Sequence, residues 1–202
     1  MIADAPDAAM GAECAQLEAI AKPLRSQPEP TRPRFVWFDF WCMPQHSSVD
    51  QRQCRRTPLE DKSFKWMLEN MSTLYVGCAV LILLDRAYIS RFWTQFEAFL
   101  SLRIITEAGL GAAPEGERRC VIKCLHNAPE SFSEALTSMW AQKTAEQAHE
   151  ILTKPDVTVT NQKDKDVQLP KLQKLDTFAK SVVADVVRVS EGWACPPLNA
   201  RA

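Results

Sequence analysis

The sequence contains few glycines and none of the glycine patterns that bind phosphate groups. Only 6 of its 202 residues are Gly, and neither G-x-G-x-x-G nor a P-loop is present. Lys and Arg together number 24 against 25 Asp and Glu, whereas nucleic-acid binding needs a surplus of cations to neutralise phosphates. These absences exclude the standard glycine-based phosphate cradles, and they predict that nucleic acid is not a partner.

A long apolar run and a regular cysteine pattern are also missing. The longest strongly apolar run covers 78–84, far short of the about 20 residues that a membrane helix needs. The acidic amino terminus does not resemble a signal peptide. The 7 cysteines include no C-x-x-C pair, so we expect free thiols, a reducing cytoplasmic location and no membrane association.

The cysteines and histidines raise two further alternatives, metal binding and cysteine catalysis. Cys42, His46 and Cys54 have a spacing unlike common zinc sites and lack a fourth ligand, so we expect no metal. A catalytic pair of Cys and His remains an alternative, for which His126 is the best-placed histidine, but no spacing favours it. Neither chemistry is the preferred interpretation.

Apolar strands alternate with amphipathic helices, which predicts an α/β fold. The aromatic and β-branched segment 34–40 and the apolar segments 79–84 and 119–125 are predicted to be adjacent parallel strands. An edge strand is expected at 157–159. We therefore predict a three-layer, mostly parallel open sheet of the flavodoxin type, with helices on both faces.

Helix signals divide the rest of the chain. Capping boxes predict helix starts at Thr57, Ser131 and Thr144, and Ser90 is predicted to cap a further helix. The predicted helices cover 8–24, 57–78, 90–105 and 170–192, with loops at 42–56 and 109–117. The predicted domains are an N-terminal helix with a proline-rich linker (1–33), an α/β core (34–127) and a helical extension (128–202).

The most informative segment is 85–97, DRAYISRFWTQFE. Ligands of open parallel sheets bind beyond the carboxyl ends of the strands, where this segment begins. Glu97 lies one helical turn after Trp93 on a largely apolar face, and a carboxylate there is costly unless it is paired or functional. The alternative is a structural Glu97 at the edge of that face, paired with Arg91 or Arg103.

This segment resembles a known family. An apolar strand followed by Tyr88-x-Ser90-x-x-Trp93-x-x-x-Glu97 is similar to the Y-x-x-S-x-W-C-x-x-E region of Toll/interleukin receptor (TIR) domains. The resemblance covers about 34–125. It implies a flavodoxin-like fold and a role in intracellular signalling or cell defence.

A second block extends the resemblance upstream. Segment 36–40 resembles the second TIR strand with its terminal acid. Asp39-x-x-Cys42-x-x-Gln45 resembles the W-I-D-x-x-C-I-N-Q block of fungal heterokaryon-incompatibility (HET) domains, which are relatives of TIR domains. From the residues alone, Asp39 is either a desolvated functional group or a cap for a neighbouring amide.

The resemblance implies two alternative functions. The first is assembly with copies of the chain or with other TIR-like domains. The second is an NAD glycohydrolase, in which Glu97 is catalytic, NAD is a substrate rather than a cofactor, and the remaining site residues bind it. Those residues are Asp39, Cys42, Gln45, Tyr88, Ser90 and Trp93.

The chain also departs from the family. Thr94 stands where TIR domains often have Cys, and the first TIR strand with its following loop has no counterpart that we can place. In catalytic TIR domains that loop helps to line the nucleotide pocket. Its absence favours assembly over catalysis.

Overall fold

The computed structural model of this chain describes residues 21–22, 33, 35–45, 56–126, 128–159 and 162–192. The chain divides into two compact units, Met1–Leu74 and Tyr75–Ala202, and each is described by itself. Apart from 21–22, which are helical, the predicted helix at 8–24 lies outside the described residues.

In the first unit, the predicted strand at 34–40 is wrong. Residues 35–38 have no regular structure, and helix α1 follows at Asp39–Cys42. The Cys42 amide donates to the Phe38 carbonyl at 2.8 Å, so the backbone bonds locally rather than to a strand. Phe35 is 93% exposed. Aromatic and β-branched residues favour a strand only where neighbouring strands and a buried face support it.

Helices α2 (Pro58–Asn70) and α3 (Ser72–Gly77) replace the single helix predicted over 57–78. The predicted capping box at Thr57 is confirmed. The Thr57 hydroxyl accepts from the Glu60 amide at 3.3 Å, and the Glu60 carboxylate accepts from the Thr57 amide at 2.7 Å. No residue of α2 is fully buried.

Two of the predicted parallel strands are confirmed in the second unit. Strand β1 (Val80–Leu84) pairs in parallel with strand β4 (Cys120–Cys124) along its whole length. Helix α4 (Phe92–Ser101) lies between them in the chain. Ile82 and Leu84 are buried, while Val121 is 51% exposed. The α/β character of the chain is therefore correct.

A hairpin occupies the place of a predicted helix end and loop. Strands β2 (Arg103–Thr106) and β3 (Gly109–Ala112) pair antiparallel as a separate two-stranded sheet. Gly109 has a φ of 108°, a conformation that side chains disfavour. The Leu110 amide donates to the Asp176 carboxylate at 2.8 Å. This hairpin is therefore held by a residue far away in the sequence.

Three helices complete the second unit: α5 (Glu130–Trp140), α6 (Ala145–Thr153) and α7 (Gln162–Gly192). The capping box at Thr144 is confirmed. The box predicted at Ser131 is wrong, because α5 begins at Glu130 without a side-chain cap. The predicted start of α7 at Pro170 is also wrong, because that proline lies inside the helix.

The core of the second unit combines the predicted α/β core with the predicted helical extension. Its large buried side chains come from β1, α4, α5, α6 and α7: Leu84, Phe92, Phe96, Phe99, Leu136, Trp140, Leu152 and Leu172. Within the described ranges, no helix is long and apolar enough to cross a membrane.

Candidate functional site

The loop that follows β1 carries the central part of the predicted site. A 3-10 turn at Tyr88–Ser90 leads into α4, whose N-cap is Arg91 rather than the predicted Ser90. The Ser90 hydroxyl instead donates to the Ala87 carbonyl at 3.1 Å. The Arg91 guanidinium lies 3.2 Å from the Asp85 carboxylate, so an ion pair closes the loop across its two ends.

A segment of the helical extension holds this loop in place. Thr158 donates its amide to the Ser90 carbonyl at 2.8 Å and accepts from the Phe92 amide at 2.7 Å. The two bonds form an isolated parallel bridge opposite Arg91. The predicted edge strand at 157–159 is thus reduced to a single bridge. The bridge keeps Arg91 extended, which explains why the helix begins at Phe92.

Tyr88 is the buried centre of the loop. Its side chain is 6% exposed, and its carbonyl accepts a hydrogen bond from the Thr94 hydroxyl. Burial raises the pKa of Tyr88 well above its ordinary value, and the nearby negative charge of Glu97 raises it further. The phenol is therefore neutral at physiological pH, so Tyr88 can act as a hydrogen-bonding group but not as a phenolate base.

Glu97 lies in the second turn of α4 and is half-buried. Its charge acts on Tyr88, so the structure brings together the predicted catalytic carboxylate and the predicted binding tyrosine. Trp93, one turn earlier, packs edge-on against Phe96 with ring centroids 6.2 Å apart. The carboxylate therefore lies near a neutral phenol, and the indole ring one turn earlier packs against the phenylalanines of α4.

Sequence reasoning missed Gln95, a residue that fixes this loop. Gln95 is 2% exposed; its side-chain amide donates to the Ile89 carbonyl at 2.8 Å and accepts from the Trp140 indole at 2.5 Å. A buried amide needs such partners because an unmade hydrogen bond is costly. The sequence signal that could have identified Gln95 is a polar residue next to Phe96 in an otherwise apolar part of the helix.

The other predicted binding residues belong to the first unit, where they bond to neighbouring backbone. Asp39 is exposed and begins α1. The Cys42 sulfur accepts from the Phe38 amide at 3.4 Å, and the Gln45 side chain donates to the Met43 carbonyl at 3.1 Å. The predicted NAD-binding set is therefore divided between the two units, and His46 and Cys54 lie outside the described residues.

The cysteine and metal alternatives gain no support from the second unit. Burial raises the pKa of the Cys120 thiol, which disfavours the thiolate that a nucleophilic cysteine needs. His126, the best-placed histidine, is an exposed residue with a φ of 54°. Across the described part of the chain, no group of three or more His, Cys, Asp or Glu residues could hold a metal ion.

Comparisons with known proteins give no information about the site. No protein-family model, curated protein or solved structure matches this chain.

Proposed function

We propose that this chain is a TIR/HET-like module that acts inside cells, in signalling or defence, by assembling with copies of itself or with other TIR-like domains. The proposal includes the three-layer flavodoxin-like arrangement. Its support is the order of parts in the second unit: parallel strands β1 and β4, the Tyr88–Ser90 turn after β1, and α4 carrying Trp93 and Glu97.

Exposed apolar side chains on α2 carry the assembly proposal. Leu59 is 73% exposed and Trp66 is 64% exposed. They are seven residues apart, so they share one side of the helix. Tryptophan is enriched in protein interfaces because burying its large ring excludes much water. A second copy of the chain is the occupant that we propose for this surface.

Light scattering coupled to size exclusion tests this proposal. We expect the molar mass of the protein to rise with concentration, and Trp66→Ser to hold it at that of a monomer. Lys65→Ser is the matched control, because Lys65 is the exposed neighbour of Trp66, and it should assemble normally. A wild-type protein that stays monomeric at every concentration, or a Trp66→Ser protein that assembles as well as wild type, would refute the proposal.

The negative charge of Glu97 near the buried Tyr88 favours a second candidate, an NAD glycohydrolase. Water would add to the ribose carbon as its bond to nicotinamide breaks, giving ADP-ribose, neutral nicotinamide and a proton. The transition state resembles an oxocarbenium ion, and a half-buried carboxylate can orient ribose hydroxyls and stabilise that positive charge. Trp93 would supply an apolar surface for a ring of the substrate.

Release of nicotinamide from NAD, followed by chromatography, tests the second candidate. We expect Glu97→Gln to lower the rate by on the order of a hundredfold, which is typical of losing an electrostatic contact to the transition state. Glu107→Gln is the control, because Glu107 is exposed in the turn between β2 and β3, and it should keep the wild-type rate. A wild-type protein without activity, or an active Glu97→Gln variant, would eliminate this candidate.

A further inference from the structure

Arg103, the first residue of β2, is a buried cation at the end of a helix. It is 1% exposed, and its guanidinium donates to the carbonyls of Trp140, Ala141 and Lys143 at 2.7–2.8 Å. The Trp140 and Ala141 carbonyls lie at the end of α5, where the helix dipole is negative and favours a positive charge. Three of its five N–H groups are thereby satisfied.

A second guanidinium lies close to the first. Burial lowers the pKa of Arg103 to about 10, and the positive charge of Arg118 contributes to the decrease. In the ranges that the structure describes, no carboxylate pairs with Arg118 and its side chain makes no hydrogen bond. Two like charges therefore lie near each other without an anion among the described residues to compensate them.

Both arginines also hold an unsatisfied donor. The Nε atoms of Arg103 and Arg118 are buried and have no hydrogen-bond partner among the described residues. Buried polar groups in native proteins are almost always paired with protein, water or an ion. A charged N–H group without an acceptor is especially costly, so the missing partner is expected to be an acceptor.

Arg119, the neighbour of Arg118, supplies a third guanidinium, which bonds to the backbone of Arg103. Its two terminal nitrogens donate to the Cys78 carbonyl at 2.9 Å and the Arg103 carbonyl at 2.8 Å. These two bonds leave further N–H groups of the guanidinium available. The Arg119 carbonyl accepts from the Val80 amide at 2.9 Å, so this arginine is anchored where β1 and β4 begin.

We propose that Arg103, Arg118 and Arg119 form a binding site for a small tetrahedral oxyanion, either inorganic phosphate or a phosphate monoester. Guanidinium groups suit such ligands because their planar N–H pairs match two oxygens at once. Arg118 and Arg119 directly precede β4, whereas the loop containing Tyr88 follows the end of β1. The site is independent of the function proposed for Glu97.

Isothermal titration with inorganic phosphate, at an ionic strength held constant with chloride, tests the site in the wild-type protein. We expect saturable binding that Arg118→Gln weakens by at least about tenfold, because a half-buried guanidinium contributes both charge and hydrogen bonds. Arg86→Gln is the control, because Arg86 is an exposed arginine in the loop after β1, and it should bind like wild type. Absence of saturable heat with wild type, or equal weakening by both variants, would overturn the proposal.

Thermal unfolding supplies a second measurement that does not depend on the heat of binding. Without phosphate, Arg118→Gln should be at least as stable as wild type, since it removes the repulsion with Arg103. Added phosphate should raise the wild-type midpoint but not the variant midpoint. A variant that is less stable than wild type to the same degree in both buffers would show that Arg118 already has a partner within the protein.

A parallel titration with glycerol phosphate distinguishes the two sources of the anion. Tighter binding of glycerol phosphate than of inorganic phosphate would assign the site to a phosphate monoester. Tighter binding of inorganic phosphate would assign it to the free ion, because the added group would then be excluded from the site. Failure of both ligands to bind would overturn the proposal.

Discussion

Two apolar segments, 35–40 and 80–84, have similar strand-forming compositions and different structures. Residues 80–84 form β1, pair with β4 along its whole length, and bury Ile82 and Leu84. Residues 35–38 have no regular structure, and the chain then turns into α1. The difference shows that an apolar composition is compatible with a strand but does not ensure that one forms. A partner strand and a core that covers one face are also needed.

The same contrast extends to the two sequence blocks that resemble the TIR and HET families. The block after β1 begins at a sheet edge, and its buried Tyr88 lies near Glu97. The block beginning at Asp39 forms α1 and hydrogen-bonds mainly to nearby backbone. The block after β1 therefore includes residues of the buried core, whereas the block at Asp39 bonds locally.

The largest expected effect tests the long-range contacts between β2 and the end of α5 in the second unit. Arg103→Met should lower the free energy of unfolding by about 4 kcal/mol, because three carbonyls at the end of α5 lose a charged donor. Urea denaturation measures the change, with Arg86→Met as an exposed control. A loss no larger than that of the control would show that these hydrogen bonds contribute little.

The next test applies directly to the two apolar segments. Leu84→Ala removes a fully buried side chain of β1 and should cost about 3 kcal/mol. Phe35→Ala removes a side chain that is 93% exposed, and the change should stay within about 0.5 kcal/mol. The urea midpoints of the two variants measure these losses of stability. Equal losses would contradict the expected difference between the two segments.

A smaller effect compares a capping box that forms with one that does not. Thr57→Ala should cost about 1 kcal/mol, since the hydroxyl that accepts from the Glu60 amide is lost. Ser131→Ala should leave stability unchanged, because Ser131 does not cap α5. Circular dichroism during urea titration measures both, and an unchanged midpoint for Thr57→Ala would contradict the expected role of the cap.

The smallest effect concerns the hairpin that the sequence did not predict. Burial alone would raise the pKa of Asp176, but hydrogen bonds from Lys180 and the Leu110 amide outweigh it and lower the pKa. Because the pKa of Asp176 is lower in the folded protein, its carboxylate stabilises the fold at pH values above the unfolded pKa of about 3.9. That stability is lost as the pH falls through the folded pKa. Asp176→Asn should cost less than about 1 kcal/mol at neutral pH, since its partner Lys180 is half exposed.

Acid titration of stability completes this test. Below about pH 4, the wild type should lose its advantage over Asp176→Asn, so the two curves converge. Asp156→Asn is a control that removes an exposed carboxylate before α7 and should not reproduce that convergence. Parallel curves for wild type and Asp176→Asn would contradict the assignment of acid sensitivity to Asp176.

Local signals in the sequence predicted the elements that depend on local chemistry. The capping boxes at Thr57 and Thr144 were confirmed because each side chain bonds within its own first turn. The box at Ser131 failed because the N-cap of α5 is Pro129, two residues earlier. The hairpin β2–β3 was missed because residues from α7 hold it, and such long-range contacts leave no periodic pattern at 103–112.

The sequence by itself determined the α/β character, the strands β1 and β4, and the position of Glu97 one turn after Trp93, because these follow from apolar runs and helical spacing. Only the tertiary structure decided that segment 35–38 is not a strand, that Thr158 sets the start of α4, and that Arg103 crosses to the end of α5. The physical reason is hydrogen-bond satisfaction: buried polar groups select partners by proximity in space, often many residues away in the chain.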